Sequence, residues 1–206
     1  MFSFTENTHC TVIGRTQSGK TWAVNRILKN QPRGVLFFNT QLEDLPNYIV
    51  VDKRTKFIQI RELLKKGYKL SYNPSTKLEV QAQEISFLIE QLFENGNFDK
   101  IHNIFVVIDE VHLFTKEGLS EICRIATGGV KYGLNGIFLS QRPAQISNVL
   151  MTQSSAMVIF FVNMESQYFK NYEIPIEPIL HEISVNGQWS FCSYDFNKIE
   201  SFKSVK

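Results

Sequence analysis

Short apolar runs alternate with amphipathic stretches along most of the chain. Cys10–Ile13, Val35–Phe38, Tyr48–Val51, Tyr68–Tyr72, Ile104–Ile108, Gly136–Leu139 and Met157–Val162 are brief and bounded by polar or turn residues, so they read as strands. Between them, apolar residues recur at helical spacing. Trp22, Ala23, Ile27 and Leu28 do so after the first strand, and Phe57, Ile60, Leu63 and Leu64 do so within Lys56–Lys66, ahead of Gly67. The longest such pattern, Lys77–Phe93, carries Val80, Ile85, Leu88, Ile89, Leu92 and Phe93 on one side; a further helix, Leu119–Ala126, is stopped at Gly128-Gly129. Near the end, Asn186-Gly187 between Glu182–Val185 and Gln188–Phe191 predicts a tight antiparallel hairpin. Strands that are apolar on both faces and alternate with helices imply an α/β fold: a mostly parallel central sheet flanked by helices, with a C-terminal β-hairpin added at an edge.

Composition adds bounds. A chain of 206 residues, 43% apolar and 20% charged, suits one domain spanning residues 1–206, and no repeat or Pro/Gly/Ser-rich linker divides it. Its 17 Phe residues suit packed strands under helices. A formal charge of +2 is too small to attract a polyanion in bulk, so any nucleic-acid contact must come from local basic loops such as Lys53-Arg54-Thr55-Lys56, Lys65-Lys66 or Lys116, each of which reads equally well as solvated surface. Cys10, Cys123 and Cys192 are odd in number and lack metal-ligand spacing, which points to a reducing compartment. With no run of transmembrane length and a polar start, the expected setting is a cytosol.

The chemistry concentrates at three strand ends. Gly14-Arg15-Thr16-Gln17-Ser18-Gly19-Lys20-Thr21 follows the first strand and opens the first helix, and it is a complete G-x-x-x-x-G-K-[ST] loop. Such a loop aims backbone N–H groups at anionic oxygens, with Lys20 for the outer phosphates and Thr21 for Mg²⁺; its glycines let the backbone approach a phosphate. The strand Ile104–Ile108 ends in Asp109-Glu110. An Asp there can support a magnesium shell, and the adjacent Glu can activate water, which a kinase or a binding switch does not require. His112 two residues on could couple this site to a substrate or simply be a hydrogen-bonded loop histidine. The third strand ends in Ser140-Gln141-Arg142-Pro143, where Gln141 could sense a terminal phosphate.

These blocks together, with Val111-His112 and Lys131-Tyr132-Gly133, resemble the HerA/FtsK superfamily of DNA-pumping ATPases in order and separation over residues 11 to about 160. Within it, a stripped-down motor domain is most similar to the genome-packaging ATPases of tailless icosahedral viruses, including archaeal turreted viruses. The resemblance implies a RecA-like P-loop NTPase fold, ATP with Mg²⁺, a homo-oligomeric ring (hexamer or pentamer), double-stranded DNA as cargo and capsid portal or vertex proteins as partners. It implies a cytoplasmic protein that visits the capsid vertex. By position it gives Lys20 and Thr21 the phosphate and metal roles, Asp109 the metal role, Glu110 that of catalytic base and Gln141 that of sensor. The family's Gly-Arg-Lys-aromatic-Gly block is Gly129-Val130-Lys131-Tyr132-Gly133 here, without its arginine, so the cation reaching a neighbour's ATP is open among Arg124, Lys131 and Arg142. Arginine matches phosphate better than lysine. Competing readings are a nucleoside or nucleotide kinase, a translocase for conjugation or repair, and an ATP-dependent scaffold that does not hydrolyse.

Overall fold

The computed structural model describes residues 8–29, 31–98, 102–114, 119–162, 166–187 and 190–203. These form a nine-stranded sheet in the order β3-β4-β2-β5-β6-β1-β7-β8-β9. The strands are β1 (Cys10–Ile13), β2 (Val35–Phe38), β3 (Ile49–Val51), β4 (Lys69–Tyr72), β5 (Ile104–Ile108), β6 (Leu134–Ser140), β7 (Ala156–Phe160), β8 (Phe191–Tyr194) and β9 (Ile199–Phe202). β1 to β7 pair in parallel, while β8 joins β7, and β9 joins β8, antiparallel.

Alternation along each central strand divides the core. In β5, Ile104, Val106 and Ile108 face one cluster and Phe105 and Val107 the other; in β2, Leu36 and Phe38 oppose Val35 and Phe37. On one face lies α1 (Lys20–Leu28), which buries Ala23, Val24 and Leu28. The other face is covered by α2 (Phe57–Lys65), α3 (Leu78–Asn95), α4 (Leu119–Gly128), α5 (Asn148–Gln153) and α7 (Ile176–Asn186), through residues such as Ile60, Ile85, Ile122, Leu150 and Ile179. A short α6 (Ser166–Lys170) precedes α7. Crossover helices on both faces are what a parallel sheet requires.

Two expectations are corrected. Val80 does not join the buried stripe of α3 and stays 36% exposed. More substantially, the hairpin lies further along the chain than Asn186-Gly187 predicts. Ile176, Ile179 and Ile183 are spaced for a helix and are buried as one, so α7 runs through Asn186 and ends at Gly187, whose φ of 99° suits a helix stop. Pro178 is tolerated because it sits in the first turn, where its missing N–H costs nothing. The antiparallel hairpin is β8–β9, turned over Asp195–Lys198, where Asp195 Oδ1 accepts the Asn197 and Lys198 N–H groups at 3.0 and 2.8 Å. Its β8 extends the parallel sheet, and β9 forms the edge.

Close packing at Gly34 gives a stability test. A Cβ there would lie 2.2 Å from the Leu64 carbonyl oxygen, whereas one at Gly128 meets nothing within 4 Å. Gly34→Ala is expected to lower the unfolding free energy by about 1–3 kcal/mol. Gly128→Ala should stay within about 0.5 kcal/mol of wild type. Urea denaturation of both variants checks this.

Candidate active site

The site follows from strand order. β6 lies between β1 and β5, with Ile13 opposite Ser140 and Ile108 opposite Phe138. The residues past these strand ends therefore converge at the carboxyl edge of the sheet, where ligands of parallel α/β sheets bind. They line a cleft of about 580 Å³ with Thr16, Gln17, Ser18, Gly19, Lys20, Thr21, Gln41, Glu43, Asp109, Glu110 and Gln141 on its walls. That is the size of a small-ligand pocket.

The loop wraps the start of α1. Gln17 (φ 60°) and Gly19 (φ 93°) take left-handed backbone, and Ala23 N–H already bonds Gly19 O at 2.9 Å as the helix begins. Gly14 is glycine for a different reason from phosphate approach: a Cβ would sit 2.6 Å from both Phe160 Cβ and Ser18 Oγ. Lys20 is buried, and its ammonium donates to Gly14 O at 2.9 Å and Arg15 O at 3.2 Å. Burial lowers its pKa, while Glu110, Asp109 and Glu43 pull it back up. Arg15 is exposed and lies over the Phe161 ring, 5.1 Å from its centroid.

Facing the loop are the acids. Asp109 is 2% exposed and its pKa is pushed up to about 7, first by burial and then by Glu110 and Glu43, against the pull of Lys20. Its Oδ1 accepts the Glu110 N–H at 3.0 Å, holding Glu110 at a φ of 48°. Glu110 Oε2 lies 3.1 Å from His112 Nδ1 but makes no hydrogen bond. Gln141 Oε1 accepts a hydrogen bond from the Thr16 hydroxyl, so the tip of β6 touches the loop directly.

Glu43 and Gln41 escaped the sequence reading. They follow β2, where Asn39 holds the turn by donating to Glu43 O at 2.8 Å and accepting the Glu43 N–H at 3.0 Å. The available signal was the one used for β5 and β6: polar residues just past an apolar strand.

The donor set fits a phosphate chain and Mg²⁺. Ser18 Oγ is buried without a partner inside the loop, and three carboxylates face one lysine, a charge balance that a divalent cation corrects. Thr21 and Asp109 both line the cleft, and Mg²⁺ typically takes only one or two carboxylates beside substrate phosphates.

The three further cations are not brought together. Arg142 follows Gln141 at the cleft end of β6, exposed, with its N–H bonded to Ser140 Oγ at 3.0 Å. Lys131 precedes β6, so the seven residues of that strand, about 3.3 Å each, place it roughly 20 Å away at the opposite edge of the sheet. Arg124 lies in α4, exposed and 4.1 Å from the centroid of the Phe93 ring, which also packs on Tyr132 next to Lys131. The basic loops are partly neutralised: Arg54 pairs with Asp52 at 2.5 Å and Lys53 with Glu84 at 3.5 Å, while Lys65 lies over the Phe98 ring. Lys116 lies outside the described residues. No helix among the described residues is long and apolar enough to cross a membrane, and the three cysteines are free.

Loop, sheet order and paired acids define a P-loop NTPase. Residues 5–153 match the AAA domain family, and the chain belongs to it. No curated protein matches the sequence. Among solved structures, the genome packaging NTPase B204 from Sulfolobus turreted icosahedral virus 2, in complex with sulfate, is similar at a TM-score of 0.67 and 16% identity, over 98% of this chain and 99% of that one. The same protein with the ATP analogue AMPPCP gives 0.66 at 16% identity, over 97% and 98%. The cytoplasmic domain of the type VII secretion ATPase EccC from Thermomonospora curvata gives 0.59 at 14% identity, over 96% of this chain and 25% of that one. At these identities the likeness is one of fold.

The raised Asp109 sets a pH dependence. A carboxyl with a folded pKa near 7 and an unfolded value of 3.8 keeps its proton longer in the folded state. Stability of the ligand-free protein therefore falls as pH rises from about 4 through about 7. Asp109→Asn should remove this decline and exceed wild type at pH 8, as read from urea midpoints across pH without Mg²⁺ or nucleotide.

Proposed function

We propose that this chain is an ATP-hydrolysing motor domain that translocates double-stranded DNA, and that it packages a viral genome into a preformed capsid. The observation that carries the reading is the meeting of Asp109-Glu110 and Gln141 with the phosphate loop in one cleft. The fold likeness to a viral genome packaging NTPase over nearly all of both chains supports the cargo.

In this reading the loop N–H groups and Lys20 hold the β- and γ-phosphates. Thr21 and Asp109 hold Mg²⁺, which when bound neutralises phosphate charge. Glu110 orients the attacking water and accepts its proton, and such assistance is worth about 10²–10⁴ in rate. Gln141 reports the γ-phosphate to β6. A ring built head-to-tail places a different surface of the neighbour against each cleft. Arg124 and Lys131, remote from their own cleft, are then candidates for a neighbour's ATP, with the guanidinium of Arg124 the better match; Arg142, exposed just past the cleft end of β6, is the third candidate. The motor works in the cytosol and docks transiently at the capsid vertex.

A DNA-dependent ATPase assay tests this. Wild type should hydrolyse ATP with Mg²⁺, faster with double-stranded DNA. Lys20→Ala should abolish turnover, and Glu110→Gln should lower kcat by about 10²–10⁴ while still binding ATP. Equal hydrolysis with and without DNA, with a monomeric mass by light scattering under all nucleotide conditions, would refute the motor.

A further inference from the structure

His112 has no part in the reading above, yet it is almost completely buried between the two elements that the reading needs to connect. It sits in the 3-10 turn Val111–Leu113, directly after Glu110, and is 4% exposed. Its Nδ1 lies 3.1 Å from Glu110 Oε2 and 3.1 Å from Ser140 Oγ. Ser140 is fully buried, accepts the Arg142 N–H at 3.0 Å and immediately precedes Gln141, which touches Thr16 of the loop.

One ring nitrogen faces two oxygens. With its proton on Nδ1, the imidazole can donate to either, but it has one in-plane N–H and serves one acceptor well at a time. In this structure the geometry favours Ser140: that contact meets hydrogen-bond geometry, while Glu110 Oε2 is left without a hydrogen bond although its side chain is only 10% exposed. Buried polar atoms are normally paired, so this carboxylate oxygen is poised to take a donor. The Glu110 backbone is held by the Asp109 carboxylate, which leaves the side chain as the part free to respond.

We propose that His112 is a positioning residue whose Nδ1 exchanges between Ser140 and Glu110, coupling the orientation of the base to the tip of β6. A shift of Gln141 against Thr16 moves Ser140; Ser140 releases Nδ1; the ring turns its N–H to Glu110 Oε2 and fixes that carboxylate. The proposal rests on the assignment of Glu110 as the base, and only hydrogen bonds change.

The test uses the full chain. Asn at position 112 puts an amide near the place of Nδ1, Gln puts it near Nε2, and Ala supplies none. His112→Ala and His112→Gln should lower DNA-stimulated kcat by roughly 10- to 100-fold, part of what a general base supplies, with KM for ATP unchanged. His112→Asn should recover most of that rate. Equal loss in all three variants, no loss in any, or a rise in KM at constant kcat overturns the proposal. A second readout does not depend on hydrolysis. With ¹⁵N-labelled histidine, the His112 signals are those missing from His112→Asn, and they should shift in both Glu110→Gln and Ser140→Ala. If they stay unchanged in both, the exchange is refuted whatever the ATPase activity. If they shift but wild type hydrolyses no ATP, the contact stands and the motor reading falls.

Discussion

The site depends on the parallel pairing of β6 between β1 and β5. The ladder fixes which residues emerge level with one another: Ser140 stands opposite Ile13, the residue before the loop, and Phe138 opposite Ile108, the residue before the acids. A slip of one residue would turn every side chain of β6 to the other face. It would bury Ile137 and Leu139 in the wrong cluster and carry Ser140 and Gln141 out of the cleft. The packing of two hydrophobic clusters against one sheet thus sets the geometry of a polar site that neither cluster touches chemically.

Charge is the second constraint. Three carboxylates and one ammonium share one cleft, with Lys20, Asp109 and Glu110 buried and Glu43 exposed. The fold tolerates the buried charges because Lys20 donates to two loop carbonyls and Asp109, its pKa raised to about 7, is partly protonated at neutral pH. Such a site is costly to the isolated protein, and under the proposed function a ligand bringing both phosphate charge for Lys20 and a divalent cation for the acids relieves it. Binding and stability are coupled in the same residues for that reason.

Much of this was legible in the sequence because strands apolar on both faces declare themselves and because their polar tips follow at once. The loop was found by its complete motif, Asp109, Glu110 and Gln141 as polar residues at strand ends, and the structure places them together. Glu43 and Gln41 obey the same rule but carry no familiar motif, and their approach depends on Asn39 holding a turn, which is a tertiary fact. The Asn186-Gly187 pair misled because one dipeptide serves both hairpin turns and helix ends; burial of Ile179 and Ile183 decided between them, and burial is not local. Separation of Arg124 and Lys131 from the cleft likewise required knowing which end of β6 each element meets.

The central claim is that water, activated at Glu110, attacks a phosphate held by Lys20 and its loop. Single-turnover reaction of Mg-ATP in H₂¹⁸O tests it most directly. The account predicts inorganic phosphate carrying one solvent oxygen, formed by wild type and suppressed in Glu110→Gln. Phosphate delivered to another acceptor, or ATP recovered intact from wild type, would contradict it.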